Sequence, residues 1–539
     1  MKKITFIISF LVLFLMSAND LKAQVISSYF MGQNAWMPSF KYNGKFEVVA
    51  PKLTDAAIKM IRIGGTNYNK VPSGNDGLTY SQYDILINSV KSTGAEPIVQ
   101  ISHFLTYQSA KNLVYYLNVT KNYNIKYFCI GNEPDLEGVS SAAVKTYITT
   151  LAPAIRDITA SAIIMGPECA WMNGGIYGNM LNDLLGGSQN VAGKDSKGRY
   201  YLDIITYHSY DRYSITEMED RIIALKSLLT SINTTRTDKP LGWALTEFNT
   251  TSNNSQTAVP ADFKVWSMYA GQFFAQVYGL GMKYGAFTVD AWATHEQSGA
   301  RTGTDLGLFD AEPNYAGRSN YYHTMMLGKF IKYNYMPTST NNGNIKVVST
   351  YSTTTFGYQV LLMNNTATQY NTTVRLSNTA VTTNSTVVVK LLNGTLAKEF
   401  VTYVEPYGTR LLVFDQYGNL VENWRYCKTQ SDANTGPVKV ITANKLVLSS
   451  SGKSEVNNDM PDSKIGVYPN PVQFNSDFYI NYDSNRGTQE VMIFDALGRK
   501  VYSKKAFSVS PFKISSNGEF KPGIYFVKIG NQQTKFLIQ

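Results

Sequence analysis

The sequence predicts an α/β protein in which a (β/α)8 TIM barrel is followed by a β-sandwich and by a small all-β domain at the C-terminus. Eight short apolar runs alternate with helical patterns across residues 24–330, and near-continuous apolar strands are typical of a parallel sheet covered on both faces. From about residue 344 the pattern changes to short runs rich in Val, Thr and Asn, which favours antiparallel sheets. The chain of 539 residues is also longer than one ordinary domain.

The N-terminus predicts export. Lys2 and Lys3 precede an apolar run at residues 4–16, and a polar turn and Ala23 follow it, which is the pattern of a signal peptide. We therefore expect residues 1–23 to be removed and the mature protein to begin at Gln24. No later segment of the sequence approaches the roughly 20 apolar residues of a membrane-spanning helix.

Charge and rare residue types argue against several classes of function. The formal net charge is +10, but the basic residues are scattered and form no dense stripe, so nucleic-acid binding is not expected. An anionic polysaccharide remains compatible with this charge. Three cysteines imply no disulfide framework, and four scattered histidines offer no close ligand set, so we expect neither a metal nor another cofactor.

The barrel pattern can be followed strand by strand. The eight apolar runs lie at residues 29–36, 60–65, 96–102, 127–131, 163–168, 202–207, 241–249 and 285–292. Helical spacing covers the second half of residues 46–60 and residues 83–93, 109–123, 140–158, 217–232 and 262–278. A Gly- and Asn-rich insertion at residues 171–199 departs from a minimal barrel.

Polar and aromatic residues accumulate where these runs stop. In such barrels the chemistry lies at the C-terminal ends of the strands, and here those ends carry Asn34, Arg62, His103, Asn132, Glu133, Glu168, His208, Tyr210, Glu247 and Trp292. Glu133 ends the fourth run, within Gly-Asn-Glu-Pro, and Glu247 ends the seventh. This strand order places the two glutamates across the barrel mouth.

Two opposed glutamates at one barrel mouth can hydrolyse a glycosidic bond. The reaction needs a proton for the departing oxygen and a carboxylate beneath the anomeric carbon, where positive charge develops. Glu133 would hold the proton, and Glu247 would stay ionised with the help of Arg62 and the hydroxyl of Tyr210. If the carboxyl groups lie about 5 to 5.5 Å apart, the second attacks directly and the configuration is retained.

These strand ends resemble those of glycoside hydrolase clan A, the retaining 4/7 barrel enzymes. The residues that carry the resemblance are Arg62, Asn132, Glu133, Pro134, Tyr210, Glu247 and Trp292, within residues 28–330. The resemblance implies that Glu133 is the acid/base and Glu247 the nucleophile. It also implies that Asn132 hydrogen-bonds the 2-hydroxyl of the sugar.

The same resemblance gives roles to further strand-end residues. It implies that Tyr210 donates a hydrogen bond to Glu247, that Arg62 supports the same carboxylate, and that Trp292 forms the floor of the cleaved sugar's subsite. Further candidates for substrate binding are His208, His103 and Asn34. Glu168, the competing carboxylate at the end of the fifth run, is expected to be structural.

The segments after the barrel have different compositions. Residues 331–415 predict a β-sandwich packed on the barrel at residues 24–330, and residues 416–464 predict a connecting segment that drifts into Ser, Asn, Asp and Lys. Residues 465–539 form another unit, with three ordered motifs at residues 465–471, 491–501 and 522–529.

The three motifs resemble the C-terminal sorting domain of proteins exported by the type IX secretion system of Bacteroidetes. The resemblance implies that residues 465–539 engage the type IX machinery. It also implies passage across the outer membrane, with the domain then removed or replaced by a surface anchor. The protein is therefore expected outside the cell or on its outer surface.

We expect a secreted, monomeric, retaining endo-β-glycanase that cleaves a plant or algal cell-wall polysaccharide. One alternative is an exo-acting glycosidase such as an arabinofuranosidase, which would release single sugars rather than oligosaccharides of several lengths. Another is a barrel that only binds glycan at the cell surface. Glu133 and Glu247 together favour an enzyme, since a pure binder does not need two carboxylates under one bond.

Overall fold

The computed structural model describes most of the chain, in two compact units that lie within residues 1–449 and 450–539. The described residues are 23–35, 45–69, 78–170, 179–210, 214–252, 261–295, 306–310, 315–352, 357–377, 386–389, 398–440, 466–468, 470, 472–481, 489–496, 498–506, 512–515, 520–529 and 532–539. The predicted signal peptide lies outside these ranges apart from Ala23, as does the part of the predicted linker at residues 441–464.

The first unit contains a closed barrel of eight parallel strands, as the sequence predicts. The strands are Met31–Ala35 (β1), Met60–Ile63 (β2), Glu96–Ile101 (β3), Tyr127–Ile130 (β4), Ile163–Cys169 (β5), Ile204–Ser209 (β6), Gly242–Phe248 (β7) and Val289–Ala291 (β8). Each strand pairs with its neighbours in sequence, and β8 closes the barrel by pairing with β1. All eight C-terminal ends therefore meet at one mouth.

A helix follows each strand of the barrel. These helices are Lys45–Asp55 (α1), Tyr80–Ser92 (α2), Tyr107–Tyr115 (α3), Ser141–Arg156 (α4), Met180–Gly186 (α5), Ile215–Asn233 (α6), Met268–Tyr284 (α7) and Ser319–Lys329 (α8). The sequence predicted the first helix in the second half of residues 46–60, whereas α1 occupies the first half. The difference arises because the chain turns at Ala57, where φ is 53°, and then enters β2.

The barrel interior is filled by side chains, so the strands are held at fixed positions. Its inner layer is apolar and contains Met60, Ile98, Tyr127, Cys129, Met165, Ile204 and Ala244. The space is tight: a Cβ added at Gly32 would meet Oδ1 of Asp290 at 1.6 Å. A second, larger apolar layer lies between the strands and the surrounding helices.

Residues after the barrel form two sheets, as predicted, and the larger sheet also takes in Gln24–Val25 from ahead of β1. The larger sheet contains Gln24–Val25, Asn334–Tyr335, Ile345–Tyr351, Tyr358–Asn364, Gly408–Phe414, Leu420–Cys427 and Val438–Lys439, and the smaller contains Thr338–Thr340, Thr386–Val389, Tyr370–Leu376 and Lys398–Val404. The larger sheet thus continues past residue 415 into the predicted connecting segment. Its strand Leu420–Cys427 is rich in polar residues, but Tyr426 is buried against α8 through Tyr322 and His323.

Buried polar contacts fix the larger sheet to the barrel helices. Nε2 of Gln272 in α7 donates to the backbone carbonyls of Asn364 and Gly408. Nε2 of Gln359 donates in turn to the carbonyl of Leu327 in α8. Since buried polar groups left unsatisfied are costly, these contacts specify one arrangement of sheet and barrel.

The second unit is all β. It has a sheet of Gly466–Tyr468, Phe478–Asn481 and Phe512–Ile514, and another of Lys500–Ala506, Gln489–Asp495, Gly523–Ile529 and Gln532–Ile538. Its own apolar core includes Phe478, Phe520 and Phe536. Among the described residues of the chain, no helix combines the length and the apolar character needed to cross a membrane.

Candidate active site

Three glutamates from different strand ends surround one histidine at the barrel mouth. His208, in β6, has Nδ1 3.0 Å from Oε1 of Glu133 and 3.5 Å from Oε2 of Glu247. Its Nε2 lies 3.0 Å from Oε2 of Glu168. Glu133 follows β4, Glu168 lies in β5 and Glu247 in β7, so four successive strands of the barrel converge on the imidazole.

The two glutamates predicted to be catalytic are adjacent. Carboxylate oxygens of Glu133 and Glu247 lie within 4.8 Å of each other. Their side chains are 14% and 6% exposed, so both reach the mouth while remaining largely shielded from water. This spacing fits the shorter of the two separations found in glycoside hydrolases, about 5 to 5.5 Å rather than about 6.5 to 9.5 Å.

Arg62 is buried beneath the barrel mouth and hydrogen-bonds side chains at four of the other strand ends. Its Nη1 donates to Oε1 of Glu247 at 2.6 Å and to Oδ1 of Asn34 at 3.1 Å. Its Nη2 donates to Oδ1 of Asn132 at 2.6 Å and to Oε1 of Gln100 at 3.2 Å. The guanidinium is fully buried, so these hydrogen bonds replace the water that it loses.

The other oxygen of Glu247 accepts a hydrogen bond from Tyr210. The distance from the phenol hydroxyl to Oε2 is 2.7 Å. Trp292 follows β8 and belongs to an apolar cluster with Ala293 and Leu306, against which Tyr210 packs. The cluster forms an apolar wall beside the acidic centre.

The backbone at two of the glutamates is left-handed. φ is 46° at Glu133 and 61° at Glu168, a region that costs free energy for residues other than glycine. The N–H of Glu133 donates to the carbonyl of Glu168 at 2.7 Å, and the N–H of Glu168 donates to the hydroxyl of Thr206 at 2.9 Å. These bonds fix the backbone positions from which both side chains reach His208.

The positive and negative groups of this cluster each favour the charged form of the other. Burial by itself lowers the pKa of His208, but the surrounding carboxylates, that of Glu247 foremost, raise it to about 10. Burial by itself raises the pKa of Glu168, but the charges of Arg62 and His208 outweigh it and bring the pKa to about 2. Both shifts favour an imidazolium beside an ionised Glu168 at neutral pH.

Burial raises the pKa of the Glu247 carboxyl, and the positive charges of His208 and Arg62 oppose that rise. The hydrogen bond from Tyr210 opposes it as well. The carboxylate of Glu247 therefore lies in a shielded environment, where two hydrogen-bond donors, Arg62 and Tyr210, and the nearby charge of His208 favour its ionised form.

The predicted site residues do not all lie at the same depth. Asn34 is fully buried, and its amide donates to the carbonyls of Thr246 and Ala291, which places it beneath the site rather than at its surface. His103 lies to one side, where Nε2 is 3.9 Å from Oε2 of Glu137.

Three residues of the network were not among the predicted binding or catalytic residues. They are Gln100, which binds Arg62; Thr246, whose hydroxyl donates to Glu168 at 2.6 Å; and Glu168 itself, which was expected to be only structural. A signal was present in the sequence, because each is a polar residue within a mostly apolar strand. A buried strand carries such a residue when it has a partner inside the barrel.

The acidic centre also has the composition of a metal site. Glu133, His208 and Glu247 form such a group among the described residues. Their ligand atoms are already engaged with each other, with Arg62 and with Tyr210. A cation would have to displace these hydrogen bonds beside a buried guanidinium, so the geometry favours proton transfer.

Two parts of the chain match models of known protein families. Residues 22–278 match the family model described as Cellulase (glycosyl hydrolase family 5). Residues 466–539 match the model described as Secretion system C-terminal sorting domain. No curated protein sequence matches the chain at a significant level.

Solved structures share the fold at low sequence identity. The family 51 α-L-arabinofuranosidase AbfB from Bifidobacterium longum has a TM-score of 0.53 and 12% identity, covering 74% of this chain and 98% of its own. The bifunctional glucanase-xylanase CelM2 from a metagenome library has a TM-score of 0.51 and 12% identity, covering 73% and 97%. The GH51 α-L-arabinofuranosidase of Thermotoga petrophila RKU-1 has a TM-score of 0.51 and 13% identity, covering 73% and 98%.

Proposed function

We propose that this chain, a clan A glycoside hydrolase with a type IX sorting domain, is a retaining endo-β-glycanase that cleaves a plant or algal cell-wall polysaccharide. The sorting domain directs the protein through the type IX system to the cell surface or the medium. This destination suits an enzyme whose substrate is too large to enter the cell.

One observation carries the proposed mechanism: carboxylate oxygens of Glu133 and Glu247 lie within 4.8 Å of each other. An inverting enzyme needs room for a water molecule between its carboxylate and the sugar, which requires a wider gap. The narrow gap favours direct attack by one carboxylate on the anomeric carbon. Glu247 suits that role because Arg62 and Tyr210 each hold one of its oxygens.

In the first step Glu133 gives its proton to the glycosidic oxygen while Glu247 attacks the anomeric carbon. The bond to the departing sugar breaks, and an ester forms between the remaining sugar and Glu247. Asn132 lies beside Glu133, with its Oδ1 held by Arg62 and its Nδ2 3.4 Å from the hydroxyl of Thr66. We infer that this amide hydrogen-bonds the 2-hydroxyl of the sugar. Trp292 provides an apolar face for the sugar ring.

In the second step Glu133, now ionised, removes a proton from water, and the water oxygen attacks the anomeric carbon. The ester breaks, Glu247 recovers its charge and Glu133 recovers its proton. Two displacements at one carbon restore the original configuration. The whole cycle uses side chains of this barrel mouth.

The test is release of reducing ends from neutral and anionic polysaccharides by the protein beginning at Gln24, beside Glu247→Ala. The panel includes β-glucans, xylans, arabinans and sulfated algal glycans. We expect activity on one class to fall by about 10⁴-fold or more in the variant, and azide to restore turnover with a glycosyl azide of inverted configuration. Equal activity of the two proteins would remove Glu247 from the mechanism.

The products of the active protein separate the remaining alternatives. Oligosaccharides of several lengths support endo cleavage, and single sugars released from chain ends support an exo-acting glycosidase such as an arabinofuranosidase. If polysaccharides are retarded in a gel but none loses viscosity, the barrel is a glycan-binding protein and the proposal is wrong.

A further inference from the structure

We propose that Glu168 is a positioning residue that sets the charge balance of the site, so that Glu133 holds its proton before glycosyl transfer and releases it afterwards. The inference rests on the proposed function. Glu168 acts through His208 and is shielded from the substrate, because its side chain is fully buried beneath the ring.

The position of Glu168 is built by contacts from three strands. The hydroxyl of Thr246 donates to its Oε2, and Nε of Arg62 lies 3.4 Å from the same oxygen. Nε2 of His208 lies 3.0 Å from it on the third side. With Nε2 donating to Glu168, the opposite nitrogen of the ring faces Glu133 at 3.0 Å.

The charges that meet here can be counted. The carboxyl groups of Glu133, Glu168 and Glu247 face two cations, Arg62 and His208. If all three carboxyl groups were ionised, the site would carry a net negative charge in a shielded environment, which is unfavourable. A proton on one of them makes the site neutral. Glu133 is the most exposed of the three and has one cationic neighbour, His208, whereas Glu168 and Glu247 each contact both Arg62 and His208. The proton therefore belongs on Glu133.

The charge balance changes once the glycosyl-enzyme forms. The ester removes the charge of Glu247, so Glu168 and an ionised Glu133 then balance the two cations. Glu133 is therefore ionised when it must act as a base toward water. Without Glu168, the resting site would already be neutral with Glu133 ionised. Glu133 would therefore lose its proton, and with it the ability to act as an acid, at a lower pH.

The other carboxyl groups near Glu133 are common to the wild-type chain and to every Glu168 variant, so they do not alter the difference between them. Asp135, two residues along the chain, is buried and accepts a hydrogen bond from the backbone N–H of Ala170. Glu137 lies on the same loop, toward the outside of the mouth, where it is partly exposed to water. Asp290 lies deeper, and burial raises the pKa of its carboxyl well above its usual range, which favours the neutral form. The phenol of Tyr210 binds Glu247 as a neutral donor.

The experiment compares the pH dependence of kcat/KM for the wild-type chain, Glu168→Gln and Glu168→Asp, on the polysaccharide that the panel identifies. In Glu168→Gln we expect the alkaline limb to move to lower pH by about one to two pH units, because a nearby negative charge has been removed. Glu168→Asp keeps the charge, so its alkaline limb stays near that of the wild type even if its rate is lower.

Thr246→Val is the matched control. It removes a hydrogen bond to the same Glu168 oxygen but leaves every charge in place, so its alkaline limb should not move. If Glu168→Gln folds, as judged by its thermal transition, and its alkaline limb coincides with that of the wild type, the proposal is wrong. A purely structural role would change stability and leave the limb in place.

A measurement on the wild-type chain tests whether His208 is positively charged, as the charge balance requires, without any variant at Glu168. Nitrogen-15 NMR of labelled histidine should show a doubly protonated imidazole at about pH 8 that is missing from His208→Asn. A neutral His208 at that pH would overturn the proposal, even if no Glu168 variant folds. The NMR result does not depend on turnover, so an inactive protein with a charged His208 would count against the proposed function alone.

Discussion

The phenol of Tyr210 lies 2.7 Å from Oε2 of Glu247, on the opposite side of the carboxylate from the oxygen that Arg62 binds. The carboxylate is therefore fixed in orientation by two donors, one charged and one neutral. A nucleophile held in this way loses little entropy when it attacks. The two donors should contribute differently, because only the neutral one can be removed without leaving a buried charge unpaired.

Tyr210→Phe should lower kcat by about 100-fold with little change in KM, since the lost hydrogen bond orients the attacking group rather than the substrate. The hydroxyl opposes the rise in the pKa of Glu247, so its removal should move the acidic limb of the pH profile to higher pH. Steady-state kinetics across the pH range measure both effects.

Tyr147→Phe is a suitable control for this prediction. The Tyr147 hydroxyl is buried and has no hydrogen-bond partner among the described residues, so its removal should leave the pH profile unchanged. An acidic limb that stays fixed in Tyr210→Phe would mean that the hydroxyl does not influence Glu247.

Glu133→Ala should lose activity on polysaccharide by about 10³-fold or more but keep most of its glycosylation rate on an aryl glycoside whose phenol needs no proton. Azide should then accelerate turnover of the aryl glycoside and give a glycosyl azide of retained configuration. The anomer is read by proton NMR. An azide product of inverted configuration would transfer the nucleophile's role to Glu133.

The sequence predicted the eight strands because each is a short apolar run, and a closed barrel is the arrangement that buries them all. The pairing of Glu133 with Glu247 followed from strand order. The role of Glu168 could not be predicted in this way, since it depends on which oxygen faces His208 after the chain bends at a left-handed residue. Such geometry is set by packing of the whole barrel mouth.

The sequence also could not predict how deeply each strand-end side chain is buried within the barrel. Asn34 and Arg62 both lie at strand ends, and both are fully buried. Whether a polar strand-end residue meets substrate or supports another side chain depends on the stagger of the strands, which residue types do not reveal.

Arg62→Lys should be a severe change despite keeping the charge. A single ammonium cannot reach the oxygens of Glu247, Asn132, Asn34 and Gln100 that the guanidinium binds. We expect a loss of roughly 3 kcal/mol in the free energy of unfolding, together with a large fall in kcat. Urea denaturation and kinetics measure the two losses.

Arg199→Lys provides the comparison for Arg62→Lys. Arg199 pairs with Asp157 and Asp195 at a partly exposed site, so its change should cost less than about 1 kcal/mol. Similar losses for the two variants would contradict the role given to burial.

Phe104→Ala should weaken binding of long substrates. Phe104 follows β3 at the barrel mouth, is 56% exposed, and packs against His103 with the two ring centroids 4.1 Å apart. Stacking on a sugar ring would use the exposed part of this ring. We expect KM for polysaccharide to rise about 5-fold to 10-fold, with kcat on a short aryl glycoside unchanged.

Tyr333→Ala is the control for Phe104→Ala. Tyr333 is 65% exposed, but its carbonyl accepts a hydrogen bond from the N–H of Ile26, ahead of β1 and thus at the opposite end of the strands. Its loss should leave KM unchanged. If both variants raise KM equally, the effect does not arise at the mouth.

His323 should make the attachment of the sheet to the barrel sensitive to acid. Its Nδ1 lies 2.8 Å from the carbonyl of Ser319, to which it donates, and its Nε2 lies 2.8 Å from the hydroxyl of Thr409 in the larger sheet, from which it accepts. Burial lowers the pKa of His323 to about 4, with the Ser319 carbonyl opposing that shift. The folded protein therefore favours the neutral form of the His323 ring.

The sign of the effect follows from proton binding. The unfolded chain takes up a proton at about pH 6.5, whereas the folded chain resists it down to about pH 4, so folding stability falls as the pH drops between these values. At pH 7 the wild type should be more stable than His323→Gln. That advantage should shrink by roughly 2 to 3 kcal/mol at about pH 4.5, where the variant has no such proton to exclude.

Urea denaturation of both proteins at the two pH values measures this change. Thr409→Val serves as the control, because it removes the hydroxyl partner but keeps the titrating ring. Its stability should therefore fall with pH in parallel with the wild type. A constant difference between wild type and His323→Gln would show that the ring titrates alike in the folded and unfolded chains, and the proposed acid sensitivity of this attachment would be wrong.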